Sequence, residues 1–390
     1  DYIKQGYIFV SPASRGKETQ SEDGTHIGKS PASLVDLKAG IRFLKANDAE
    51  MAGDANKIIS IGTSAGGAMS ALLASTGNAK DYDSYLREIG AVMDQSDDVY
   101  AAQAYCPITD LDHADQAYEW MYQNLQTYNN SRSGENGEST DFEKAVSKQM
   151  ASGYVDYINS LKLVDTKTGE SLTLGEDGRS GRFYQYMVQK VEDAATVYLN
   201  KLSEGSLDVP YTLNDCLSWD GSNAKITSLD DYLADYNPRM KSVMAFDNLE
   251  MNENSGENLE FGDETHQYLH FDSYMPDVLE KLKTDYPEEY SKYAEGYDAV
   301  IGDKALAERK KLLNPLNYIG SDSVDTAEHI RIRVGTQDAD TALSVSAVLA
   351  LSLENKTVAD VDYALVWNQG HGNADYDGEL LQWIDKICKE

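Results

Sequence analysis

Residues 57–75, KIISIGTSAGGAMSALLAS, decide how the rest of the chain is read. Lys57–Ile61 is a short apolar run of the kind that forms a buried strand. Gly62-Thr63-Ser64-Ala65-Gly66-Gly67 interrupts it, and Ala68–Ala74 continues as a helix of small and apolar residues. A serine between glycines at a strand-to-helix turn is a nucleophile elbow. The turn is strained, which lifts the Oγ clear of the backbone, and small neighbours are required where strand and helix approach. The helix start also presents free N–H groups beside the hydroxyl, where a developing oxyanion would be stabilised. Ala65 N–H, next to the nucleophile, is the donor the sequence identifies. Gly-x-Ser-x-Gly alone is a weak signal; the strand before it and the helix after it make it specific.

Working outward, Tyr7–Pro12 reads as a strand ended by proline, and Pro31 opens a helix with Leu34, Leu37, Ile41 and Leu44 on one face. Val99–Cys106 is a further strand, closed by Pro107. Strands alternating with helices imply a parallel sheet. The texture changes after about residue 119. Stretches 141–163 and 182–203 read as helices, and Lys162–Gly175 reads as a hairpin around a Thr-Gly turn. Stretches 128–140 and 249–260 are polar and predict mobile loops. The α/β pattern returns with a strand at His329–Val334, a helix at Thr341–Leu353, a last strand at Val361–Trp367 and a closing helix at Leu380–Cys388. The helix at Thr341–Leu353 carries an apolar stripe at Leu343, Val345, Leu349 and Leu353. The expected organisation is a core split into 1–119 and 313–390, with an inserted, mainly helical lid at 120–312.

The 390 residues are 41% hydrophobic, which suits one large domain carrying an insertion. A formal net charge of −32 argues against nucleic acid or an anionic membrane as partner. Three widely spaced cysteines suggest neither a disulfide framework nor a zinc site, and Cys106 reads as a buried thiol. No apolar run is long enough to span a bilayer. The chain starts at Asp1 without a signal-like segment, which leaves the compartment open, with a lean to extracytoplasmic. Asp110, Asp112, His113 and Asp115 look like metal ligands, but no second cluster stands at ligand spacing. Solvated and capping roles are expected for them, and neither a metal nor another cofactor is expected.

A serine hydroxyl needs a base, and the base needs an orienting acid. The elbow and the strand order predict an α/β-hydrolase fold, in which the chain order is serine, acid, histidine. His371, in Asn368-Gln369-Gly370-His371-Gly372, directly follows the last strand; the histidines at 26, 113, 266, 270 and 329 do not. Two acids follow the strand before it. Asp340 stands where a helix N-cap is wanted, a sufficient structural reason for an aspartate. Asp338 lies in the turn itself and is the preferred acid.

The chain resembles the bacterial tannase (tannin acyl hydrolase) and feruloyl esterase-like group of α/β-hydrolases. The resemblance lies in Ser11–Gly16, Ser33–Ala39, Gly62–Gly67, Tyr105–Leu111 with Ala117–Trp120, Gly335–Thr341 and the loop at His371. It implies hydrolysis of phenolic-acid esters, galloyl or hydroxycinnamoyl, beneath a helical lid. It also implies a triad of Ser64, Asp338 and His371, with Asp340 binding the ring hydroxyls of the acyl group. A lysine and a glutamate of the lid share that task, with Lys241 and Glu257 as their equivalents. The first three strands of such a fold have no counterpart before Tyr7. Residues 1–12 are therefore expected to be the fourth strand of a longer protein whose upstream glycine-rich loop gives a second oxyanion N–H. The alternatives are a peptidase of the prolyl oligopeptidase type, which shares elbow and triad order, and a non-catalytic binding protein on a hydrolase scaffold.

Overall fold

The central sheet is built from four parallel strands, β1 (Ile59–Thr63), β2 (Ala101–Tyr105), β7 (His329–Gly335) and β8 (Asp360–Val366), in the order β1-β2-β7-β8. The structure, a computed structural model, describes residues 2–207, 211–253 and 255–389. Ile59 stands opposite Ala101, Ala101 opposite His329, and His329 opposite Asp360, so the C-terminal ends of all four strands lie along one edge. β2 is buried along its whole length, as a central parallel strand covered on both faces must be.

Around the sheet pack α1 (Ala32–Ala46), α2 (Ala65–Ser75), α3 (Asp83–Glu88), α12 (Leu343–Lys356) and α13 (Glu379–Ile387). The apolar stripe expected on α12 is absent as a stripe, because every residue from Leu343 to Leu353 is buried. Part of the segment between β2 and β7 packs on α12, where the Tyr154 hydroxyl donates to Ser344 Oγ at 2.8 Å. α1 is fixed by a buried ionic network: Lys38 Nζ donates to Asp97 Oδ1 at 2.8 Å and to Thr76 O at 2.6 Å, and Arg42 Nε donates to Asp97 Oδ2 at 2.7 Å. Three charges out of water persist here because each finds a hydrogen-bonded opposite.

The strand expected at Tyr7–Pro12 is not formed. The segment is irregular, with Ile8, Phe9 and Val10 exposed by 59%, 63% and 48%. A strand depends on a partner for its backbone groups, and among the described residues no strand lies beside this one; β1 is the sheet edge.

Between β2 and β7 the described residues add no strand to the central sheet. Here lie α4 (Ala114–Tyr122), α5 (Asp141–Leu161), α6 (Arg182–Ser203), α7 (Leu229–Asp235), α8 (Gly256–Glu260), α9 (Met275–Leu282), α10 (Pro287–Asp298) and α11 (Lys304–Leu312). A capping box opens α5: Thr140 Oγ1 accepts from Glu143 N at 3.2 Å, and the Glu143 carboxylate accepts from Thr140 N at 2.7 Å. The stretch 128–140 is not a loose loop but mostly a hairpin of β3 (Thr127–Asn129) and β4 (Asn136–Glu138). A second hairpin joins β5 (Leu217–Trp219) to β6 (Ala224–Ile226). In 249–260, of which residue 254 lies outside the described residues, α8 forms and Asn258 is buried against Asp247 at 2.7 Å. The hairpin expected at Lys162–Gly175 reduces to a single antiparallel bridge between Val164 and Ser171. One hydrophobic core runs from the sheet into the insertion through Trp120, Tyr154 and Phe183. A separate cluster of Phe142, Met150, Met244, Met275 and Tyr297 lies within the insertion.

Candidate active site

Ser64 ends the turn between β1 and α2 with φ 61° and ψ −119°, a left-handed backbone for a non-glycine residue. Its N–H donates to Tyr105 O of β2 at 3.0 Å. The turn tolerates no side chain at two of its glycines. A Cβ on Gly62 would lie 2.0 Å from Gly66 O, and one on Gly67 2.2 Å from Tyr105 O. Gly66, the second glycine of the motif, has open space, so its own backbone oxygen is what excludes a side chain at Gly62. Ala65 is the first residue of α2, and its N–H therefore has no acceptor within the helix.

The loop after β7 carries Asp338 and the loop after β8 carries His371. The two loops touch through their backbones: Gln337 N donates to Gln369 O at 2.8 Å, and a Cβ on Gly335 would meet Gln369 O at 2.2 Å. Three side chains, from the turns after β1, β7 and β8, meet here. Ser64 Oγ and His371 Nε2 are 2.7 Å apart, and His371 Nδ1 and Asp338 Oδ2 are 2.9 Å apart. With the hydroxyl donating to Nε2 and Nδ1–H donating to the carboxylate, both bonds are satisfied by one neutral tautomer. Asp338 is fully buried; its Oδ1 accepts Asp340 N at 2.9 Å and its carbonyl accepts Asn237 Nδ2 at 3.2 Å.

Asp340 does not cap the following helix, whose N-cap position is Ala342. Its carboxylate turns toward the histidine instead, with Oδ2 at 3.6 Å from His371 Nδ1, and it pairs with Arg132 from the β3–β4 turn. Burial alone would lower the pKa of His371. The hydrogen bond and charge of Asp338, the Cys106 contact and the charge of Asp340 outweigh it and push the imidazole up to about 10. Cys106 is a buried thiol, as expected, but it stands beside the His371 imidazole: Sγ lies 3.9 Å from His371 Nε2 and 3.5 Å from Gly372 O.

Lys241 and Glu257 do not join this cluster. They line a cavity of about 270 Å³ together with Tyr128, Asn130, Glu135 and Tyr293, against the hairpin whose turn carries Arg132. The Lys241 ammonium lies 4.1 Å from the centroid of the Phe246 ring.

The acidic group after β2 is not solvated as expected. Asp110 is buried and bonds the Tyr157 hydroxyl at 2.6 Å, Asn314 Nδ2 at 2.8 Å and His113 Nδ1 at 3.0 Å. Asp115 is buried and accepts Phe246 N and Asp247 N, both at 2.9 Å. Asp112, partly exposed, pairs with Lys310 at 2.9 Å. Each is occupied by protein partners. Among the described residues the group whose ligand atoms lie within 4.8 Å of one another is Cys106, Asp338 and His371, and both nitrogens of that histidine are already engaged by Asp338 and Ser64. No helix among the described residues is long and apolar enough to cross a membrane.

Sequence reasoning missed Arg132, Tyr118 and the closeness of Cys106 to the imidazole. The spacing of Asp115, Tyr118 and Glu119 places them on one helical face, but nothing in the sequence says what that face touches.

A family model described as BD-FAE, an esterase family, matches residues 1–160. No curated protein matches the chain. Among solved structures, the tannase of Fusobacterium nucleatum is 38% identical with a TM-score of 0.82, over 99% of this chain and 79% of its own. The native tannin acyl hydrolase of Lactobacillus plantarum is 35% identical with a TM-score of 0.84, over 99% of this chain and 78% of its own. A tannin acyl hydrolase in complex with ethyl gallate is similar to the same degree, with 35% identity, a TM-score of 0.84 and the same coverage. With this identity across nearly the whole chain, the protein belongs to the bacterial tannase family of α/β-hydrolases and is a carboxylic ester hydrolase.

Proposed function

We propose that this protein hydrolyses esters of phenolic acids, galloyl or hydroxycinnamoyl, through an acyl-enzyme on Ser64. The observation that carries the reading is the unbroken hydrogen-bonded line Ser64 Oγ–His371–Asp338, with separations of 2.7 Å and 2.9 Å. Ser64 Oγ attacks the ester carbonyl while its proton passes to His371 Nε2. The buried Asp338 keeps the ring oriented and stabilises the imidazolium. Ala65 N–H, at the free start of α2, donates to the tetrahedral oxyanion. His371 then protonates the departing alkoxide, and water repeats the path in reverse to release the acid. Asp340, Lys241 and Glu257 bind the ring hydroxyls. The ethyl gallate complex of a family member supports this substrate class.

The test is a fluorophosphonate probe with peptide mapping, beside turnover of methyl gallate and of a prolyl amide. Stoichiometric labelling at Ser64, with ester and not amide turnover, supports the reading. Absence of labelling at Ser64, or preferential turnover of the amide, would overturn the proposal.

A further inference from the structure

α4 carries three buried polar side chains at the i, i+3 and i+4 positions, Asp115, Tyr118 and Glu119, and all three grip the same short stretch of the insertion, residues 239–247. The Tyr118 hydroxyl is at the centre. It donates to Ala339 O at 3.0 Å and accepts Met240 N at 3.2 Å and Lys241 N at 3.0 Å. One donor and two acceptor sites is all a phenol offers, so the group is saturated. Ala339 is the residue between Asp338 and Asp340. One buried oxygen therefore ties the peptide carrying the two aspartates to the peptide carrying Lys241.

The other two side chains complete the grip. Glu119 pairs bidentately with Arg239, at 2.5 Å and 2.8 Å, and Arg239 Nε donates to Lys241 O at 2.7 Å. Lys241 is thus fixed at both its N–H and its C=O. Asp115 holds Phe246 N, and the Phe246 ring supports the Lys241 ammonium from below at 4.1 Å while meeting the Tyr118 ring edge-on at 6.2 Å. The triad has other supports that avoid Tyr118. Asp338 is also bonded through Gly335 O at 3.1 Å and Asn237 at 3.2 Å.

We propose that Tyr118 is a positioning residue for acyl-group specificity: by joining Ala339 to Met240 and Lys241 it sets the spacing between Asp340 and Lys241, so that the two recognise ring hydroxyls as a unit. This rests on the assignment of Asp340 and Lys241 to the phenolic ring made above. Loss of the hydroxyl leaves one carbonyl and two N–H groups unpaired in the interior and frees the two peptides to drift apart.

The experiment compares methyl gallate with p-nitrophenyl acetate, whose acyl group has no ring, in wild type, Tyr118→Phe, Lys241→Met and the double variant. Thermal melts run in parallel. Tyr118→Phe should lower kcat/KM on methyl gallate by roughly 10- to 100-fold, chiefly through KM, with less than about threefold loss on p-nitrophenyl acetate. In the Lys241→Met background the same change should add little on methyl gallate, since the unit is already broken. Phe246→Leu, which removes the support under the ammonium, should show the same selective loss and serves if Tyr118→Phe folds poorly. Equal losses on both esters in both variants, or full additivity with Lys241→Met, would overturn the proposal and leave the assignment of the ring-binding residues standing. If Lys241→Met leaves methyl gallate turnover unchanged, that assignment falls and this inference falls with it.

Discussion

Two aspartates two residues apart share one histidine, and they do so unequally. Asp338 is fully buried and 2.9 Å from His371 Nδ1; Asp340 is 3.6 Å away and also pairs with the exposed Arg132. Asp338→Asn should therefore lower turnover by orders of magnitude on every ester, because an amide favours the wrong tautomer. Asp340→Asn should chiefly reduce turnover of esters with ring hydroxyls. Steady-state kinetics on methyl gallate and p-nitrophenyl acetate separate the two, and the reverse pattern would mean that the roles are exchanged. The raised pKa of His371 has a sign. In the proposed role of base His371 must be neutral, and its protonated form is stabilised by both carboxylates. Turnover should therefore rise with pH through a limb on the alkaline side of an ordinary histidine, and Asp340→Asn should move that limb to lower pH. A limb at or below pH 6 in the wild type would contradict the arrangement. That Ser64, Asp338 and His371 come together was legible in the sequence, because each follows a strand in a fixed order. The place of Arg132 was not, because its partner lies 208 positions away and the contact depends on how the segment between β2 and β7 is folded.

Elements repeat the lesson. The strand at Ile59–Thr63 and the long helices Asp141–Leu161 and Arg182–Ser203 stand within a residue or two of where the pattern puts them, because local periodicity and a capping box specify them. The strand expected at Tyr7–Pro12 did not form, because a strand is specified by its neighbour as much as by its own residues. The short hairpin at Thr127–Glu138 was hidden by polar composition, since its strands are three residues each and largely exposed. α1 carries a prediction of its own. Asp97 balances the buried Lys38 and Arg42, so Asp97→Ala leaves two cations in the interior. It should lower stability by about 3–5 kcal/mol in denaturant unfolding. A change below about 1 kcal/mol would mean that water reaches both cations.

At the scale of the molecule, a four-stranded sheet presents its loops beneath an insertion with which it shares one hydrophobic core. The net charge of −32 was legible at once and acts at this scale. It repels anionic substrates over about a Debye length, roughly 10 Å at 0.1 M salt. For a phenolic ester bearing a free carboxylate, kcat/KM should rise severalfold between low and moderate salt, while for methyl gallate it should stay flat. A fall with salt for the carboxylate ester would instead point to attraction by Arg132, which pairs with Asp340 beside His371.

In the proposed reaction Ser64 carries the acyl group between the two half-reactions. Acid quench of the enzyme turning over methyl gallate, followed by intact and peptide mass measurement, tests this for wild type and Ser64→Ala. A galloyl adduct should map to the peptide containing Ser64, and Ser64→Ala should lack it and lose at least about a thousandfold in turnover with its melt unchanged. Near wild-type turnover in Ser64→Ala, or a galloyl adduct on another residue, would rule out Ser64 as the acyl carrier.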